Sequence, residues 1–142
     1  MTTPHALLYR SLATRPMADL ELRALGARAA QRNARQGITG LLLHGQLEHV
    51  TGLPGAFVQW LEGPEDAVRD LFESIREDAR HDEIEVVAEG PVAELSERAE
   101  RLFPEWSMET EVISELPATL PGFLRYVRER RAEGEGRWAL AA

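Results

Sequence analysis

The sequence predicts an α+β fold: a ferredoxin-like βαββαββ sandwich with a C-terminal capping helix. Short apolar runs alternate with two helically periodic segments, in the order strand, helix, strand, strand, helix, strand, followed by one more strand and helix. The two helices follow the first and third strands, which places both on one face of a mostly antiparallel sheet. A third amphipathic stripe, Leu120, Phe123, Leu124 and Val127, is then left to cover the other face.

Each element has its own signal. The first strand runs from His5 to Ser11, centred on Leu7, Leu8 and Tyr9. Leu20 to Ala34 forms a helix with Leu22, Leu25, Gly26, Ala29 and Asn33 on one side, and Gly37 supplies the stop. Ile38 to His44 is a buried strand. A Gly-rich connection from Gly45 to Gly55 follows, with Pro54-Gly55 as a turn signal, and Phe57 to Glu62 is the next strand. Gly63-Pro64-Glu65-Asp66 opens the second helix, where proline and acidic residues suit the first turn, and Val68, Leu71, Phe72 and Ile75 form its stripe. Ile84 to Glu89 alternates as a strand, and Phe103 to Val112 forms the last one. The tail from Glu133, rich in Gly and Glu, frays.

A chain of 142 residues suits one core, and no repeat or linker divides it. Residues 1–112 form the main domain, and residues 113–142 form a helical extension with a flexible tail. No apolar run is long enough to span a bilayer, and no secretory signal is visible. The absence of cysteine excludes disulfides and thiolate chemistry and fits a cytoplasmic protein. A net charge of −8 argues against binding nucleic acid through its phosphates. All 16 basic residues are arginine, a bias that suits either anion recognition by forks or GC-rich coding.

Several residues are poorly explained by a plain core. Tyr9 lies in the first strand, and Asn33 on the apolar side of the first helix. Gln59 shares a strand face with Phe57 and Leu61, whereas Glu62 lies on the opposite face, so Gln59 points inward and its amide needs partners. Trp106 and Met108 share a face of the last strand. A mid-helix glycine at Gly26 costs about 1 kcal/mol against alanine and makes sense where a flat ring or another backbone approaches. Taken singly, each has an ordinary role: a packed ring, a helix cap for Asn33, a backbone bond for Gln59. Together they outline a polar ligand held between helix and sheet. His44, Glu48 and His49 do not form a metal site, because their spacing fits no single helical face.

The segments Leu7-Leu-Tyr9-Arg-Ser11, Arg32-Asn33-Ala-Arg-Gln-Gly37-Ile-Thr-Gly40, Phe57-Val-Gln59-Trp-Leu-Glu-Gly63, Asp78-Ala-Arg80-His81 and Phe103-Pro-Glu-Trp106-Ser-Met108 resemble the BLUF family of blue-light sensors that use FAD. The resemblance implies a non-covalently bound flavin and a role for each matched residue. Tyr9 would donate an electron and a proton to the excited flavin. Gln59 would sit between the phenol and the ring and rearrange its hydrogen bonds. Asn33 would bond the polar edge of the ring, Leu25 would pack on its face, and Arg80 and His81 would lie toward the phosphate end. Trp106 and Met108 would relay the signal. Four departures stand out: a connection between Gly40 and Gln59 several residues longer than the family's usual hairpin, an insertion around Glu94 to Arg101, Ala29 where the family often has serine, and Arg32 where many members carry asparagine, a change that offers a phosphate contact.

The leading reading is a photoreceptor without enzymatic activity that signals to a separate protein or to another copy of itself. A second is an interaction module of the same fold that has lost its flavin and uses the Gly45–Gly55 connection for a partner. A small phosphatase built on Asn33 with Arg35 or Arg80 ranks last, because no phosphate-cradling loop or nucleophile–base pair accompanies them.

Overall fold

The computed structural model describes residues 4–14, 17–47, 55–97, 100–113 and 115–132. The strands are β1 (His5–Ala13), β2 (Thr39–Leu47), β3 (Ala56–Gly63), β4 (His81–Pro91) and β5 (Trp106–Ile113). The helices are α1 (Asp19–Arg35), α2 (Glu65–Arg76), α3 (Val92–Ser96) and α4 (Leu120–Ala132). The strands form one sheet in the order β4-β1-β3-β2-β5. Neighbours are antiparallel except β2 and β5, which run parallel from Gly40↔Trp106 onward.

Period-two alternation divides the sheet between two cores. On one face Leu7, Tyr9 and Leu61 pack against the Val68–Leu71–Phe72–Ile75 stripe of α2, and Leu42 and Phe57 meet Leu25 of α1. On the other face Ala6, Leu8, Leu41, Leu43, Val58 and Trp60 pack beneath Phe123 and Val127 of α4. The expected capping helix is therefore in place, and the rings of Trp60 and Phe123 stack 5.8 Å apart at an interplanar angle of 4°.

The structure corrects several expectations. A short helix, α3, lies between β4 and β5. It follows Gly90-Pro91 just as α2 follows Gly63-Pro64, so its start signal was present in the sequence. β5 begins at Trp106, not Phe103. Pro104 has no N–H to give a ladder, and the N–H groups of Leu102 and Phe103 are committed elsewhere. Their acceptor is Glu62, which lies opposite Gln59 as expected but is fully buried. Its carboxylate accepts hydrogen bonds from the Leu102 and Phe103 backbones, both at 2.7 Å, and from the Trp60 indole at 3.1 Å. Burial outweighs these three bonds and lifts the Glu62 pKa to about 7. β2 continues past His44 to Leu47 because its parallel ladder with β5 extends that far. Most of the remaining Gly-rich connection, with Glu48 and His49, and the tail from Glu133 lie outside the described residues.

Gly40 has a structural task. At φ +151° it lies so close to β3 that a Cβ would sit 1.9 Å from the Trp60 carbonyl oxygen. It is the point where β2, β3 and the start of β5 come together.

Candidate functional site

The pairing of β1 with β3 sets Tyr9 directly opposite Gln59. Opposed residues on antiparallel strands project to the same face, so the two side chains meet. The Tyr9 hydroxyl donates to Gln59 Oε1 at 2.5 Å, and both residues are buried. Burial, reinforced by the negative charge of Asp78, drives the Tyr9 pKa far above the usual phenol range, against a smaller opposing effect of Arg32. Tyr9 is therefore a neutral hydrogen-bond donor at any ordinary pH. Phe72 and His81 flank its ring at centroid distances of 5.6 and 5.9 Å.

This pair forms the floor of a cavity of about 310 Å³ between α1, α2 and the sheet. The α1 wall carries Leu25, Arg28, Ala29 and Arg32. The opposite wall carries Ser74 and Ile75 of α2, then Asp78, Arg80 and His81, while Leu42 and Trp106 close the sheet side. Arg80 clamps the Asp78 carboxylate through two guanidinium nitrogens and holds the Asp78 pKa at about 2. His81 packs on Phe57 with its Nδ1 2.7 Å from Ser11 Oγ, and burial lowers its pKa, so the ring is neutral at pH 7.

Six of the eight expected site residues line this one cavity: Tyr9, Leu25, Gln59, Arg80, His81 and Trp106. Asn33 and Met108 do not line it. Asn33 is fully buried at the C-terminal turn of α1, and neither its Oδ1 nor its Nδ2 has a partner among the described residues. The main chain at that turn is satisfied without it: the Asn33 carbonyl accepts from Gln36 and Ile38, so the side chain is no cap. A buried amide without partners costs about 1–3 kcal/mol, so its retention fits a ligand with matching polar atoms. Met108 lies in an adjoining groove between α1 and β5, with its Sδ over Gly26. Gly26 therefore accommodates a side chain of β5, not a ring in the main cavity. Arg28 and Ser74 are not placed at the site by the sequence, which reads Ile75 only as part of the α2 core stripe and Ser11 only as part of a matched segment. Arg28 and Ile75 carried a signal, because each lies one turn from a residue already placed at the site or in the core.

A cavity with one hydrogen-bonded phenol–amide pair at its floor, walls that mix apolar and charged side chains, and a buried amide nearby suits a flat heteroaromatic ligand with a polar edge. The isoalloxazine of a flavin has both features, and Tyr9, Gln59, Leu25 and Asn33 would hold it.

Photoactivated adenylate cyclase subunit beta of Euglena gracilis is 44% identical over 121 residues, covering 84% of this chain and 12% of that protein. The chain thus spans only a small part of the curated relatives it matches. Among solved structures, the dark state of the BLUF protein BlrB is 35% identical with a TM-score of 0.59, covering 89% of this chain and 85% of that one. The BLUF domain of BlrP1 is 31% identical with a TM-score of 0.61, covering 89% and 77%. The profile of the family described as "BLUF: Sensors of blue-light using FAD" matches residues 5–109. This chain belongs to the BLUF family of blue-light sensors.

Proposed function

We propose that residues 1–112 bind FAD and report blue light through Tyr9 and Gln59, and that the C-terminal extension passes the change to a separate protein or another copy of the chain without catalysing a reaction itself. The observation that carries this reading is the 2.5 Å hydrogen bond from Tyr9 to Gln59 at the floor of the cavity. Bound flavin would supply absorption of blue light and an excited state that takes up an electron. Tyr9 is suited to donate it, because a phenol that loses an electron becomes strongly acidic and gives up its proton along the existing bond to Gln59 Oε1. A carboxamide has a donor end and an acceptor end, so Gln59 can take part in moving that proton and settle in a different arrangement. A changed amide donor toward the ring alters its absorption without any lasting covalent bond.

The path outward is supported by β5. Trp106 and Met108 face the α1 side of that strand, while Glu111 of the same strand accepts from the Tyr126 hydroxyl at 2.7 Å and pairs with Arg130 at 2.8 Å, both on α4. A shift of β5 would therefore be felt by α4.

The test is spectroscopic. The purified protein is expected to show an oxidised-flavin spectrum and a small reversible red shift under blue light. Tyr9→Phe is expected to keep the flavin and lose the long-lived shifted state. A normal photocycle in that variant would exclude Tyr9 as the donor.

A further inference from the structure

The cavity mouth carries positive charge that no carboxylate among the described residues compensates. From Leu22 to its end at Arg35, helix α1 contains Arg23, Arg28, Arg32 and Arg35 and no acidic residue, in a chain of net charge −8. Arg10, Arg69, Arg76, Arg80 and Arg130 each meet a carboxylate. Arg28 and Arg32 meet none among the described residues, although both line the cavity that Tyr9 and Gln59 floor. They lie four residues apart, one helical turn, where like charges face and repel each other. The helix dipole accounts for cations in the last turn, Arg32 and Arg35, but Arg28 lies a full turn earlier. Across the mouth, Asp78 is already engaged by Arg80, so the rim as a whole is cationic.

We propose that Arg28 and Arg32 form a phosphate seat at the cavity mouth and make the site selective for phosphorylated flavins, FMN and FAD, over riboflavin. This inference rests on the flavin reading above. A cavity of about 310 Å³ takes a tricyclic ring but not a whole dinucleotide, so the tail of a bound flavin leaves through the rim. Guanidinium forks match phosphate oxygens in geometry and charge, and a bound phosphate converts the Arg28–Arg32 repulsion into two attractions. The Ser74 hydroxyl on the facing helix, which donates to the Asp70 carbonyl at 3.3 Å, borders the same opening.

The test measures riboflavin, FMN and FAD affinities on flavin-free full chain, by quenching of flavin fluorescence. At low salt FMN and FAD are expected to bind about tenfold or more tighter than riboflavin, and the advantage is expected to shrink between about 20 mM and about 500 mM NaCl as exposed charges are screened. The double variant Arg28→Gln/Arg32→Gln is expected to bind all three flavins alike, and its far-UV circular dichroism and melting temperature verify its fold. Arg23→Gln, on the same helix but lining the neighbouring groove, controls for helix charge and is expected to keep the preference. Equal wild-type affinities for the three flavins, or a preference that survives in the double variant, would overturn the phosphate seat while leaving flavin binding intact. Failure of wild-type protein to bind any of them would overturn the flavin reading, and this inference with it.

Discussion

Glu62→Gln tests how the connection into β5 is fixed, and its effect should depend on pH. The wild-type carboxyl is fully buried and its pKa stands at about 7, against 4.5 when free. Between those values the folded protein holds a proton that the unfolded chain has released. Stability therefore falls as pH rises through this window and is level on either side of it. The shift corresponds to about 3 kcal/mol across the window. Glutamine cannot titrate. Its single carbonyl oxygen can serve only part of the Leu102, Phe103 and Trp60 donor set, and its amide group meets the remaining donor, a loss of about 1–3 kcal/mol. The variant should thus be less stable than wild type near pH 4.5, and the difference should shrink or reverse by about 3 kcal/mol near pH 7.5. Asp78 and His81 titrate in both proteins and cancel in the difference. Urea unfolding followed by far-UV circular dichroism across this range measures it. A wild-type-minus-variant difference that stays constant with pH would refute the claim that burial governs Glu62.

Asn33→Ala should leave the flavin-free protein at least as stable as wild type, because it removes an amide with no partner among the described residues, while flavin affinity drops about tenfold; thermal melts and flavin titration read the two effects separately. Gly40→Ala should cost at least about 3 kcal/mol and lose soluble protein, since its Cβ would overlap the Trp60 carbonyl; a folded variant with an unchanged melting temperature would contradict the close approach of β2 and β3. Phe123→Ala should cost about 3–5 kcal/mol and shift Trp60 emission to the red by unstacking α4, yet keep the amplitude of the light-induced absorption shift, because the Tyr9–Gln59 pair lies on the other face of the sheet.

Much of this protein was legible without coordinates because the information is periodic. Strand geometry sets Gln59 on one face with Phe57 and Leu61, and the α2 stripe of Val68, Leu71, Phe72 and Ile75 matches its buried residues. The motif segments supplied the family and hence the flavin, which periodicity could not. Strand ends were less legible, since the length of a strand depends on what its neighbour offers: β2 reaches Leu47 and β4 starts at His81 only because β5 and β1 extend that far beside them.

Other features arise from residues far apart in the chain and exist only once it folds. Glu62 reads as a solvent-facing acid until the segment forty residues later brings two backbone N–H groups to it. Arg28 reads as one of many surface arginines until α1 is set against the cavity mouth. Gly26 reads as room for a ligand until β5 places Met108 over it. Sequence pattern fixes which face a side chain takes, because that follows from local backbone geometry. What it meets there is decided by long-range pairing, which no local pattern encodes.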